Sequence, residues 1–466
     1  MSSSKDILLG RLRGGDPLAG GEQLRLTLLL AVPAILAQLS SVLMQYIDSA
    51  MVGRLGANPA ASIGLVSTCT WLFNGFAMAV MTGFSVQLAH ACGAKDFDKA
   101  RGLFRQGVFS VVSFSMLLTL AGMLISGPLP GWLGGAEEIR ADASAYFRIY
   151  AGFLPIGMAG WAASSMLQAS GNMKVPSIIY VGMCALDVVF NYVFIYLLDM
   201  GVAGAAWGTG VAETLTSLFA IWYASNRSAE LRQTGVKANL VPSGETLRKA
   251  FGITGPLWLQ NIVMRGAYVA STLIVAPLGP VSIAANAFAI TAESFCYMPG
   301  YGLEEASTTL VGQSLGAGRR DLARSFARTT IGMAMLMMSV LAVAMYAFAP
   351  QMMAIMSTDP EVVSLGARVL RIEAFAEALY AASIVGFGVC AGAGQTLVPT
   401  ILNFGTMWLV RIGLALILTP RYGLTGYWIA MCVELSVRGI LFLVYVRSGH
   451  WLRKWSPAPA TLSDNC

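Results

Sequence analysis

Residues 38–56 read QLSSVLMQYIDSAMVGRLG, a stretch apolar enough to enter a membrane that nevertheless holds Asp48. Counted back along a helix from Asp48, Gln45, Ser41 and Gln38 follow at steps of three, four and three. That spacing predicts one polar face, with Val42, Leu43, Ile47 and Met51 turned elsewhere. An ionisable residue in hydrocarbon is costly. It faces a bundle interior or water, and is a functional candidate by default.

The rest of the chain gives this stretch its setting. Of 466 residues, 56% are hydrophobic and 12% charged, against about 25% charged in a soluble domain. Apolar segments of roughly 20 residues or more recur throughout, so the chain reads as an all-α polytopic membrane protein. A membrane β-barrel would alternate over segments of roughly ten residues instead. The 50 glycines suit close helix packing in lipid. The seven cysteines are scattered, without CxxC or metal spacing, and read as small apolar packing residues. The first apolar run, from Leu24, is too long for a signal sequence and is expected to stay as a helix. A net charge of +6 spread over such a chain bears on topology, and no nucleic-acid partner is expected.

Twelve spans are expected, at 24–52, 60–91, 102–127, 140–170, 176–199, 202–225, 250–278, 281–314, 324–349, 361–393, 398–420 and 423–447. Pro33, Pro155, Pro256 and Pro299 lie within or near the starts of spans and are placed to kink them. Of the 30 Lys and Arg, 21 fall in the N-terminus, alternate loops and the C-terminus. Six (Arg54, Arg140, Arg148, Arg368, Arg371 and Arg421) fall in the other loops, and Arg265, Arg411 and Arg438 lie inside spans. The asymmetry predicts both termini in the cytoplasm of a multi-pass inner or plasma membrane protein.

The chain also repeats itself. Leu55-Gly56 returns as Leu278-Gly279, Gly93-Ala94 as Gly316-Ala317, Ala100-Arg101 as Ala323-Arg324, and Gly171 and Pro176 as Gly394 and Pro399, all 223 residues apart. Further on, Gly201 matches Gly423 at 222 and Glu213 matches Glu434 at 221. The expected organisation is a leader 1–23, a first lobe 24–225, a cytoplasmic linker 226–249, a second lobe 250–447 and a cytoplasmic tail 448–466. The two six-helix lobes should be pseudo-symmetric about an axis along the membrane normal and enclose a central cavity. A monomer is expected.

Three stretches now carry a resemblance. They are PxxxxQLSSVLMQYIDSAMVGRLG, GFSVQLAHACGAKDFDKAR and APLGPVSIAANAFAITAESFCYMPGYGLEEASTTLVGQSLGAGRRDLAR. Together they resemble the multidrug and toxic compound extrusion (MATE) transporters, over about residues 24–447, with the DinF-type bacterial branch most similar. The resemblance implies two six-helix lobes in a V and export of an organic, often cationic, solute in exchange for protons or sodium ions. It sets Asp48 on the first-helix aspartate that DinF-type members use for cation coupling. It brings in Asp187 and Asn191, four residues apart on one face, where that branch carries Asn first and Asp second. Glu293 matches a glutamate found in many bacterial members, and Glu377 lies where the family often has an acid. The seventh-span glutamate of another branch is Met264 here, beside Arg265.

The residues add an asymmetry of their own. Inside the first-half spans the acids are Asp48, Asp187 and Glu213, with no Lys or Arg at comparable depth. In the second half Glu293, Glu304, Glu305, Glu377 and Glu434, with Glu373 nearer an end, share their spans with Arg265, Arg411 and Arg438. Glu434 and Arg438 are placed to pair at i, i+4, and Arg265 or Arg411 is a candidate partner for Glu293. A proton-coupled carrier needs carboxyls free to gain and lose a proton, so the first lobe is the better coupling site. The expected coupling residues are Asp48, Asp187 and Glu293. The expected cavity and substrate residues are Gln38, Ser41, Gln45, Asn191, Tyr297 and Glu377. Tyr46 and Tyr297 are candidates to stack on a flat cation.

The leading expectation is a cation-coupled exporter of small organic compounds, without a cofactor, its coupling ion a proton or sodium. A flippase or exporter of a lipid-linked sugar or polysaccharide precursor stays open as the alternative, with Arg265 and Arg411 as its central cations. An enzyme is not expected. There is no GxxxxGK[ST] loop, and the only histidines, His90 and His450, sit at span ends.

Overall fold

The computed structural model describes residues 4–235 and 239–452, which are helical almost throughout and contain no strand. Of the residues used above, Lys237, Arg453, Lys454, Cys466 and most of the tail 448–466 lie outside the described residues. The helices are α1 Ser4–Gly14, α2 Gly20–Gly53, α3 Ala57–Gly93, α4 Phe97–Ile125, α5 Leu129–Trp132, α6 Glu137–Ala169, α7 Lys174–Tyr192 and α8 Gly201–Asn226. After the connection come α9 Gly244–Val275, α10 Pro280–Gly316, α11 Arg320–Met356, α12 Pro360–Glu373, α13 Glu377–Gly392, α14 Leu397–Gly405 and α15 Gly413–Ser448. Two π-helical stretches continue their helices, Val193–Leu197 after α7 and Thr406–Ile412 after α14.

Among the described residues, eight helices are long and apolar enough to cross a membrane, and the pair α12–α13, bent by 61°, makes a ninth. The 52-residue stretch Leu397–Ser448 holds two spans, because Gly423 (φ 60°, ψ −142°) leaves helical geometry inside it. At 33 and 26 residues, α6 and α8 are long enough to cross a bilayer too. They complete the twelve, and the repeat pairs α2–α8 with α9–α15. Pro33, Pro155, Pro256 and Pro299 all lie inside helices.

The expected leader, residues 1–23, is more ordered over its described residues than a short basic segment needs to be. It folds as α1, with Asp6 in its first turn and Arg11 and Arg13 in its last, which suits the helix dipole. Leu8, Leu9 and Leu12 fall on one face and are 6%, 3% and 0% exposed, each contributing about 1.5–3 kcal/mol by burial. They join a core that contains Leu26 and Leu30 of α2, Leu310 of α10, Phe326 of α11 and Trp451 after α15. The connection between the halves is also shorter than 226–249, since α8 runs to Asn226 and α9 starts at Gly244.

The lobes are joined most tightly at the end where α3 finishes and α10 finishes. A Cβ on Gly93 would stand 2.1 Å from the Gln313 carbonyl oxygen, and one on Gly316 would stand 2.0 Å from that of His90. Only glycine allows this approach. Positions 90 and 313, and 93 and 316, are repeat equivalents, so each helix end presses on the other through the same surface, as at a two-fold interface. The side chains repeat the pattern. His90 donates from Nε2 to the Gly392 carbonyl at 2.8 Å, and Gln313 donates from Nε2 to the equivalent Ala169 carbonyl at 2.8 Å. Along the same seam Thr254 and Trp258 of α9 donate to the Ala79 and Phe76 carbonyls of α3, at 3.0 and 2.9 Å.

Candidate functional site

Near its far end α2 packs against α7. There Asp48 meets the residues four apart on α7. The Asn191 amide nitrogen donates to Asp48 Oδ1 at 3.0 Å and to Asp187 Oδ2 at 3.1 Å. One amide thus spends its two N–H groups on two carboxyls, which also face each other. Asp187 is 0% exposed and Asn191 2%. Gly208 of α8 lets Asn191 in, because a Cβ there would stand 2.1 Å from Asn191 Oδ1. Asp187 Oδ1 and Asn191 Oδ1 are buried acceptors without a hydrogen-bond partner among the described residues. No Lys or Arg forms an ion pair with Asp48, Asp187 or Glu213 among those residues. The α7 pair stands here as Asp187 then Asn191, and both side chains reach Asp48.

The polar face of α2 is only partly one face. Ser41 is buried and donates to the Gln38 carbonyl at 2.9 Å. Gln38 donates to Glu305 Oε1 at 3.0 Å, while Gln168 of α6 donates to Glu305 Oε2 at 2.9 Å. Glu305, on α10 of the second lobe, is therefore held by two amides of the first lobe rather than left in solvent. Gln45, expected beside Asp48, is exposed instead. At 100° per residue Gln45 falls between Gln38 and Ser41 on the same face, so its exposure reflects which helices lie against that turn and not its place in the stripe.

The second lobe treats its charges differently. Glu434, the repeat equivalent of Glu213, is 0% exposed and pairs with Arg411 at 2.9 Å and with Arg438 at 3.0 Å. Both guanidiniums are thereby engaged, and neither makes an ion pair with Glu293 within 4 Å. Arg265, the other expected partner, lies over the rings of Trp71 and Tyr268, at 5.6 and 5.8 Å. Glu293, Tyr297, Glu304 and Arg411 line a cavity of about 370 Å³ whose walls come wholly from residues 260–438. Tyr268, Tyr301 and Tyr380 line it as well. Tyr297 lies 5.9 Å from Tyr380, ring to ring, whereas Tyr46 stacks on Phe295 at 5.6 Å. Glu377 does not line this cavity. With Glu373 it is fully buried at the α12–α13 bend, and the carboxyl oxygens of both lack hydrogen-bond partners among the described residues. This cavity is therefore in the lobe without Asp48.

The MatE family model matches this chain twice, over residues 33–193 and 256–417, two blocks that begin 223 residues apart and together cover more than half of the chain. This chain belongs to the MatE family. As a MATE transporter it is a multi-pass membrane protein, and the double match falls once on each half. It is 26% identical over 432 residues to a probable multidrug resistance protein NorM of Chromobacterium violaceum, covering 90% of this chain and 92% of that one. It is 25% identical over 450 residues to the multidrug resistance protein MdtK of Yersinia enterocolitica, with 92% and 96% covered. Its fold is that of a Vibrio cholerae MATE transporter, with TM-score 0.86, 19% identity, and 96% and 98% of the two chains covered. A Pyrococcus furiosus transporter of the MOP superfamily aligns with TM-score 0.86 at 20% identity over 94% and 97%.

Sequence reasoning missed the inter-lobe residues His90, Gln313, Gln168 and Arg13. The 223-residue offset pairs the first two directly, and applying it to polar residues as well as to glycines would have found them.

Proposed function

We propose that this MATE transporter exports small organic compounds, cationic or amphipathic ones among them, in exchange for protons, with Asp48, Asn191 and Asp187 as the coupling site. The observation that carries the reading is one buried amide bridging two carboxyls with no base in an ion pair. A proton taken up by either carboxyl turns an acceptor into a donor. The Asn191 bridge must then rearrange, and with it the packing of α2 on α7. The multidrug resistance proteins among the relatives support the substrate class. The Lys and Arg asymmetry supports a cytoplasmic position for both termini.

In the cycle, solute enters between the lobes from the cytoplasm. After the switch outward, protonation of Asp48 or Asp187 repacks the first lobe and disfavours the solute, and the protonated carrier returns. Sodium is the competing ion, because the same oxygens serve it. The alternative of a lipid-linked sugar flippase needs free cations for a pyrophosphate; of its two central candidates, Arg411 is held by Glu434 and Arg265 lies over the Trp71 and Tyr268 rings.

The test is flux into inverted vesicles, driven in turn by a proton and by a sodium gradient, over a panel of dyes and drugs. The wild-type chain should respond to the proton gradient, and Asp48→Asn should lower that flux by about tenfold or more, the size of a lost essential proton carrier. Wild-type flux in Asp48→Asn would place coupling elsewhere.

A further inference from the structure

The two lobes are repeats, but among the described residues no helix precedes α9 as α1 precedes α2. Helix α1 docks at the inter-lobe crossing. Arg13 is the centre of the contact, with its side chain 8% exposed. Its Nε donates to Gln313 Oε1 at 3.1 Å, its Nη2 to the Ser170 carbonyl at 2.6 Å, and its Nη1 to Glu230 Oε1 at 3.3 Å. Those partners belong to α10 of the second lobe, the end of α6 in the first lobe, and the connection between the lobes. The guanidinium also lies over the Phe97 ring at 5.8 Å, at the start of α4. Below it Leu9 packs against Gly171, the turn after α6. On the second lobe, Arg319 donates to the Gly15 carbonyl at 2.7 Å and to that of Asp16 at 3.2 Å.

These contacts cannot survive a parting of the lobes at this end. Gln313 is the residue whose amide already crosses to Ala169 and whose carbonyl oxygen lies against Gly93. Arg13 therefore clamps the gate pair itself. At the equivalent site on the other side of the axis, His90 crosses to Gly392.

We propose that α1 is a latch on the gate formed by α3 and α10. Docked as here, it holds the lobes together on the side of the N-terminus, and it must release before the transporter opens on that side. The name of that side, the cytoplasm, rests on the orientation proposed above.

Cys92 is the natural reporter. It is 0% exposed, lies one residue before Gly93, and feels the charge of Arg13. In proteoliposomes of the full chain, the alkylation rate of each cysteine is read by peptide mass spectrometry. The latch predicts that Arg13→Ala raises the Cys92 rate by about tenfold, the scale of a population shift after losing a charge-assisted network. It also predicts that Cys296, buried within the second lobe, stays unchanged. Spin labels at Ser49→Cys and Ile283→Cys, at the opposite end, should move closer in the same variant. Arg13→Lys, which keeps the charge but not the three-way fan, should lie between. Leu12→Asp, which unseats the helix by another route, should match Arg13→Ala. An unchanged Cys92 rate in both variants overturns the latch, and so does an equal rise at Cys296, which would mean general loosening. Applying a membrane-impermeant maleimide to vesicles of each sidedness separates the two readings. Faster Cys92 labelling from the outer face would keep the latch and overturn the orientation.

Discussion

Glu213 and Glu434 occupy the same place in two copies of one fold, and they live in different chemistry. Glu434 is locked between two guanidiniums. Glu213 lies against Gly157 and has no ion pair among the described residues. Asp48 and its equivalent Ser271 differ in the same sense. One shares an amide with a second acid, and the other is a buried hydroxyl without a partner among the described residues. Duplication copied the backbone, and the charges were then set separately. The lesson is that a fixed ion pair and a proton carrier make opposite demands. A carboxylate held by two arginines cannot give up its charge cheaply, so a lobe specialised for one is unsuited to the other.

The largest expected effect separates the two glutamates. Glu434→Gln strands two buried guanidiniums and should cost about 3–5 kcal/mol, read as an earlier thermal unfolding in detergent. Glu213→Gln should cost under about 1 kcal/mol. Equal costs would mean that Glu213 is structural too, and that the lobes do not differ at this position.

The crossing should behave in the opposite way. Gly93→Ala and Gly316→Ala each drive a methyl against a backbone carbonyl, and each should destabilise by about 1–3 kcal/mol. Because the contacts are reciprocal, the two costs should agree. A large difference would show that the interface is symmetric in position but not in strain.

The smallest effect concerns the helix starts. Glu22 and Glu245 are again 223 residues apart. The Ala19 backbone N–H, with Arg11 of the leader, holds the Glu22 carboxyl below the usual range. Glu245 is lowered mainly by Lys249 of its own helix. A lowered carboxyl stabilises above its unfolded value, about 4.3, and that contribution is lost as pH falls through the lower folded value. Acidification below that point should therefore speed amide exchange in α1, through Glu22, while Arg11→Gln removes part of the response. Exchange in α9 should change locally, with no second helix to release.

Much of this was legible in the sequence, and for stated reasons. Span lengths and the 223-residue offset depend on hydrophobic runs and on glycines, which one chain displays openly. The i, i+4 spacing put Asp187 and Asn191 on one face, and joining them to Asp48 came from the family resemblance. The partners of Glu305, the engagement of Arg411 by Glu434, and the burial of Leu8, Leu9 and Leu12 were not within reach. Each depends on which helices become neighbours, and periodicity within a helix carries no such information. Gln45 shows the limit from the other direction. The spacing sets it between Gln38 and Ser41 on one face, yet it is exposed, because spacing does not say which neighbouring helix covers that turn.

The π-helical stretches bear on any attempt to move chemistry between the halves. Between Pro176 and Gly201 the first half has one residue more than the second has between Pro399 and Gly423. The segments concerned carry Asp187 and Arg411, and each contains a π-helical turn, of five residues in one and seven in the other. One residue is about 100° of rotation on a helix. Numerical alignment of the halves therefore sets Asp187 against Val410 or Leu409, depending on where the gap is put, and never against a residue known to face the same neighbour. Grafting the acid pair into the second lobe would have to be guided by the direction of each side chain. A transplant made by counting would land a carboxyl on the wrong side of its helix.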